Sequence, residues 1–179
     1  MKNQIKLYLL TFILLLTFSI PANADNTFHN ISGTVYFSPS GGCTEAIVNE
    51  INSAKSEIYV QAYSFTSAPI AKALTDAHKR GIKVEVILDK SQKRERYTEA
   101  TFLTNAGIPT YIDSVHAIAH NKIMVIDKET VITGSFNFTK AAEEKNAENL
   151  LIIRDKKLAE IYIDNWNKHK NHSNTYLGK

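Results

Sequence analysis

The chain has 179 residues, with 21 lysines and arginines, 18 aspartates and glutamates and a single cysteine. Its formal charge of +3 drops to about +1 once Lys2 and Lys6 of the leader described below are set aside, which excludes a globally basic nucleic-acid binder and makes any anion binding a local matter. Cys43 alone excludes an internal disulfide and a cysteine zinc cluster, and a small structural role is expected for it.

Residues 1–24 have the layout of a secretory signal peptide. Lys2 and Lys6 precede an apolar run from Leu7 to Ile20, and Ala22-Asn23-Ala24 offers a small-residue cleavage site. The apolar run is shorter than the roughly 20 residues needed to span a bilayer. Cleavage near Ala24 would leave residues 25–179, enough for one domain with a substantial core, and would place it outside the cytoplasm, in the periplasm. An uncleaved membrane anchor is the competing reading.

Strand and helix signals then alternate. Thr34-Val35-Tyr36-Phe37 reads as a strand, and residues 44–55 as a helix with Ile47, Val48 and Ile51 on one face and Thr44 as its cap. A strand over Ile58–Tyr63 is followed by a helix capped by Ser67. Pro69 lies in its first turn, and Ile70, Ala73, Leu74 and Ala77 form its apolar stripe up to Gly81. Val84–Leu88 is a third strand, residues 92–105 a helix, and Thr110–Ile112 a fourth strand. Ile123–Ile126 and Thr130–Thr133 form a hairpin across Lys128-Glu129, and a short helix over 140–145 leads to a strand over Leu150–Ile153. Residues 156–170 close the pattern as a helix with Leu158, Ile161, Tyr162 and Trp166 on one side. This alternation predicts an α/β domain, a mixed β-sheet with helices on both faces.

The chemistry gathers around the hairpin. His120 and Lys122 are two apart and share one face of a strand, whereas Asp127 has the opposite parity to Lys122, which fits support better than contact with substrate. Past the return strand, Ser135 and Asn137 are again two apart and can offer a hydroxyl and an amide to an anion while Phe136 and Phe138 face the core. A helix beginning here would add backbone N–H groups and a positive dipole end. A nucleophile candidate, a fixed cation and neutral donors in one place suit phosphate chemistry.

His120-Asn121-Lys122 with Asp127, followed by Gly134-Ser135-Phe136-Asn137, resembles the H-x-K-x4-D motif and trailing G-S-x-N of the phospholipase D superfamily. The layout looks most like that of its small secreted bacterial endonucleases. The resemblance implies a phospholipase D-like fold and a catalytic set of His120, Lys122, Asp127 and Glu148, the last standing where the family's downstream acid is found. Phosphate binding falls to Lys122, Ser135 and Asn137. It implies attack by His120 to give a covalent phosphohistidine that water hydrolyses. Glu143 and Glu144 are nearby competitors for Glu148, with a solvated helix face as their ordinary reading. The family's second histidine comes from a second copy of the motif. This chain holds one copy, so the active unit is expected to be a twofold homodimer with His120 of each subunit beside one phosphate.

The other histidines are expected elsewhere. His116 and His120 have helical i, i+4 spacing, but on a strand they would lie about 13 Å apart, which argues against a metal pair. His78 falls near a helix end, His169 and His172 in a polar tail, and His29 in an N-terminal arm, where solvated roles are the ordinary reading. Lys90, Lys93, Arg94 and Arg96, with Tyr97, make a basic cluster able to contact successive phosphates without reading bases. The expected activity is metal-independent hydrolysis of DNA, with RNA as a further substrate, and needs no cofactor or stable membrane association. A phospholipid hydrolase, a non-catalytic nucleic-acid-binding module and a structural or transport-linked dimer are the rival readings.

Overall fold

A computed structural model describes residue 28 and residues 31–93 and 98–178; the leader, His29, Arg94, Arg96 and Tyr97 lie outside the described residues. The strands are β1 (Ser32–Ser38), β2 (Glu57–Ala62), β3 (Lys83–Asp89), β4 (Thr110–Asp113), β5 (Lys122–Ile126), β6 (Thr130–Gly134), β7 (Glu148–Arg154) and β8 (Asn174–Thr175). The helices are α1 (Cys43–Ser53), α2 (Ala68–Lys79), α3 (Ala100–Asn105), α4 (Lys140–Glu144) and α5 (Lys156–His172). One mixed sheet takes the order β1-β7-β6-β5-β2-β3-β4-β8. Strands β2, β3 and β4 are parallel, and the remaining pairings are antiparallel. Helices α2 and α3 supply the crossovers that parallel neighbours require.

Alternation along each strand divides the interior into two layers. Ile58, Val60, Val84, Val86, Met124, Ile126 and Ile132 join the larger core with residues of α1, α2, α3 and α4. Their neighbours Tyr59, Ile87, Ile123, Val125 and Val131 face the other way, onto Ala159 and Trp166 of α5. Among the described residues the helices are therefore unevenly shared, four on one face and one on the other. Helix α5 is fastened by polar contacts as well: the Trp166 indole N–H donates to the Val60 carbonyl at 2.9 Å, and Lys170 pairs with the buried Glu85.

Three local expectations are corrected. The helix expected over 92–105 is interrupted. Lys90–Lys93 make a 3-10 turn in which Gln92 turns fully inward, its amide oxygen accepting from the Phe65 N–H at 3.1 Å and the Thr98 hydroxyl at 3.0 Å. Thr44 does not cap α1; the Glu143 carboxylate does, taking the N–H groups of Gly42 at 3.1 Å and Thr44 at 2.7 Å. Glu143 is thereby committed to the fold, not to a solvated face. The hairpin turns on Asp127-Lys128, both at positive φ (55° and 56°), one residue earlier than the expected Lys128-Glu129.

Candidate active site

The sheet register brings four chain segments to one edge. Ala62, the last residue of β2, pairs with Lys122, the first of β5, and Gly134 at the end of β6 pairs with Leu150 near the start of β7. The segment beyond β6 is drawn to the same edge by N–H donations from Thr66 and Ser67 to the Phe138 carbonyl, and by the edge-on contact of Phe65 with Phe138 at 5.8 Å. His120, Lys122, Ser135, Asn137 and Glu148 thus converge from β5, the β6 exit and β7.

His120 stands just before the strand, and both of its chain neighbours are pinned. The Ala119 N–H donates to the buried Asp89 carboxylate at 2.7 Å, and the Asn121 carbonyl accepts from the Tyr63 N–H at 2.8 Å. The imidazole itself is exposed and lies on the Tyr63 ring, with 4.6 Å between centroids. Lys122 is buried; its Nζ donates to the His120 carbonyl at 2.9 Å and lies 5.0 Å from the Tyr63 ring centroid. Burial pushes its pKa below the usual lysine range, and the Glu148 carboxylate opposes that shift. A cation held this way is oriented before any phosphate arrives.

The anion-facing side is less satisfied. Ser135 is exposed, and its oxygen accepts from the Asn149 backbone N–H at 3.1 Å and side-chain amide at 3.3 Å, which leaves its own proton to donate. Asn137 Oδ1 is buried and has no hydrogen-bond partner among the described residues. Such an orphan is uncommon in a folded protein; among the described residues Gln61 and His78 carry others. Gly134 permits the tight exit from β6: a Cβ there would sit 2.3 Å from the Asn149 carbonyl oxygen. No helix dipole reaches Ser135 or Asn137. Helix α4 starts only at Lys140, and Thr139 already satisfies the Ala142 N–H at 3.1 Å.

Asp127 lies at the opposite edge. Its carboxylate accepts the backbone N–H groups of Lys55, Ser56 and Glu57 and the Ser56 hydroxyl, at 2.8–3.2 Å. The motif resemblance gives it a catalytic position and strand parity a supporting one; in the structure its carboxylate is engaged by the chain entering β2, with residues 123–126 of β5 between it and Lys122. Glu144 is exposed and pairs with Lys140, leaving Glu148 as the acid that acts on Lys122. Among the basic cluster, Lys90 and Lys93 border a cleft of about 890 Å³ that also takes in Tyr63, Asp89 and Ile118. Cys43 is fully buried, and burial followed by the Glu143 charge pushes its thiol up to about 11, which suits packing and not reactivity.

Sequence reasoning missed Tyr63 and Asp89, which position His120. The one available signal for Asp89 was a carboxylate closing an otherwise apolar strand. It also weighed His116 only as a partner of His120 and read His169 and His172 as solvated residues, whereas all three meet around Asp113.

Comparison with known proteins gives the family and the fold. Residues 47–170 match the family model described as cardiolipin synthase, phospholipase D-like domain. The chain belongs to the phospholipase D superfamily and is a phosphodiesterase of that class. It is 43% identical over 159 residues to a protein named phospholipase D from Rickettsia prowazekii, covering 86% of this chain and 78% of that one. The crystal structure of Nuc, a phospholipase D family member from Salmonella typhimurium, is 42% identical with a TM-score of 0.78 over 82% of this chain and 98% of that one. NucT from Helicobacter pylori shares the fold, with a TM-score of 0.75 and 22% identity over 82% of this chain and 99% of that one.

Proposed function

We propose that the protein is an exported endonuclease that hydrolyses phosphodiester bonds of DNA, and of RNA, with little sequence preference and without a metal in the reaction. The observation that carries this reading is the exposed His120 imidazole resting against the Tyr63 ring, which the buried Lys122 ammonium also faces while it holds the His120 carbonyl.

One ring nitrogen of His120 attacks phosphorus, forming a P–N bond as the P–O bond to the leaving alkoxide breaks. Lys122 and the Ser135 hydroxyl offset the charge that grows on the non-bridging oxygens. Glu148 fixes the imidazole tautomer that leaves the attacking nitrogen unprotonated. His120 of a second subunit protonates the alkoxide, then takes a proton from the water that breaks the P–N bond. A dimer is required on this reading because one chain supplies one such histidine. Lys90 and Lys93 along the cleft hold neighbouring phosphates, contacts that read backbone and not base. Export follows from the leader over residues 1–24, with cleavage near Ala24.

The test is nicking of plasmid DNA in excess chelator by the wild type and His120→Ala. Nicking that survives chelation and disappears in the variant is expected; wild-type activity abolished by chelation would overturn the metal-independent mechanism. Phospholipid hydrolysis is the second reading, favoured by the name of the Rickettsia relative. Headgroup release from phosphatidylcholine vesicles at a rate exceeding plasmid cleavage would establish it instead.

A further inference from the structure

Asp113 ends β4 with its side chain fully buried, and three imidazoles point a nitrogen at the same carboxylate oxygen. His169 Nδ1 lies 2.7 Å from Oδ2, His116 Nδ1 3.0 Å and His172 Nε2 3.3 Å. The ring centroids are 4.8, 5.1 and 5.2 Å apart in pairs, and one donor atom from each of the four residues falls within 4.8 Å of all the others. A tetrahedral ion with bonds of about 2.0–2.1 Å spaces its ligand atoms about 3.4 Å apart. The three nitrogen–oxygen distances are already near that spacing, and no pair of donors is more than 4.8 Å apart.

We propose that Asp113, His116, His169 and His172 form a structural site for a divalent cation of the zinc class, distinct from the catalytic centre. Hydrogen bonding alone accounts poorly for the arrangement. Three imidazoles share one oxygen, and one carboxylate can balance only one imidazolium while the rings stand in mutual contact. A divalent ion instead takes a lone pair from each neutral imidazole and from the carboxylate. Three nitrogens and one oxygen, with no thiolate, match zinc and its first-row neighbours and disfavour calcium and magnesium. The second carboxylate oxygen is held by the Val115 N–H at 3.1 Å, the outer support that orients a metal-binding acid. Access is graded: the side chains of His169, His172 and His116 are 15%, 32% and 44% exposed, so an ion can enter from solvent.

The ligands come from three places: the end of β4, the loop over residues 114–121, and the last turn of α5. An ion here ties the loop to α5. Four residues past His116, that loop carries His120, and the Lys90 ammonium also holds it through the His116 carbonyl at 3.0 Å. The ion steadies the loop and the C-terminal helix and takes no part in phosphoryl transfer.

The test is titration of the purified protein, stripped of metal and freed of chelator, with zinc chloride followed by calorimetry, and with cobalt(II) followed by visible absorption. One ion per chain, tetrahedral cobalt bands and a zinc-dependent rise of several degrees in thermal midpoint are expected. His169→Ala with His172→Ala should abolish all three, and His78→Ala should leave them intact. Should the double variant fold poorly, His116→Ala on the more exposed loop provides the same comparison. Binding well below one ion per chain, or binding unchanged by the His116 substitution, would overturn the site. Plasmid nicking is no part of this readout, so the zinc site and the endonuclease reading fail independently.

Discussion

The β5–β6 hairpin carries motif residues at both ends, and its two ends treat polar groups in opposite ways. At the turn, Asp127 is saturated by three backbone N–H groups and a hydroxyl. At the mouth, His120 is exposed, Ser135 keeps a proton to give, and Asn137 Oδ1 meets no partner among the described residues. The spacing of one short motif therefore encodes two things, a reaction site and the clamp that sets the hairpin against the chain entering β2. Saturation marks the clamp; unspent hydrogen-bonding capacity marks the site.

Substitutions at the two ends should separate cleanly. His120→Ala should lower kcat on plasmid DNA by at least about a thousandfold while leaving the thermal midpoint almost unchanged, since the side chain is exposed. Comparable loss of stability would dissolve the contrast. Gly134→Ala stands between the two ends: its Cβ collides with the Asn149 carbonyl, so a stability loss of about 2–4 kcal/mol by urea denaturation should come with displaced Ser135 and reduced activity.

Asp127→Ala should do the reverse of His120→Ala, costing about 1–3 kcal/mol of stability while the folded fraction keeps most of its activity. The sign with pH is fixed by how its carboxyl titrates. Burial raises the pKa, but hydrogen bonds from Lys55, Ser56 and Glu57 outweigh it and hold the folded value below the ordinary aspartate range. The stabilisation is present above the unfolded value and is lost as pH falls through the folded one. In denaturation curves the gap between wild type and Asp127→Asn should thus be constant near neutrality and narrow below about pH 4. The smallest effect is expected at Lys128→Gly, which relieves a side chain held at positive φ and should raise the midpoint slightly in calorimetry.

What could be read from the sequence follows the range of the interactions involved. Alternation and apolar stripes are local, so β1 to β7, the principal helices and the mixed sheet are visible in the sequence. His120, Lys122, Ser135 and Asn137 lie within one hairpin and its exit, where strand parity and motif spacing are nearly the same information. Asp127 carries two signals, parity for support and motif for catalysis, and its hydrogen bonds run to the chain entering β2. The remainder depends on distant partners. Glu143 caps a helix about a hundred residues upstream, Gln92 leaves its expected helix to bridge Phe65 and Thr98, and β8 exists only because Thr175 and Asn174 meet Tyr111 and Ile112. His169 and His172 approach Asp113 across more than fifty residues, and no periodicity announces that meeting.

The lopsided placement of helices has a bearing on how the chain matures. Tyr59, Ile87, Ile123, Val125 and Val131 are all synthesised before residues 156–172, the one helix among the described residues that packs on them. A ribosome-bound nascent chain thus presents a bare, greasy sheet surface until residues 156–172 emerge. Any truncation upstream of Lys156 leaves that surface permanently uncovered, a fragment destined for chaperones or aggregates.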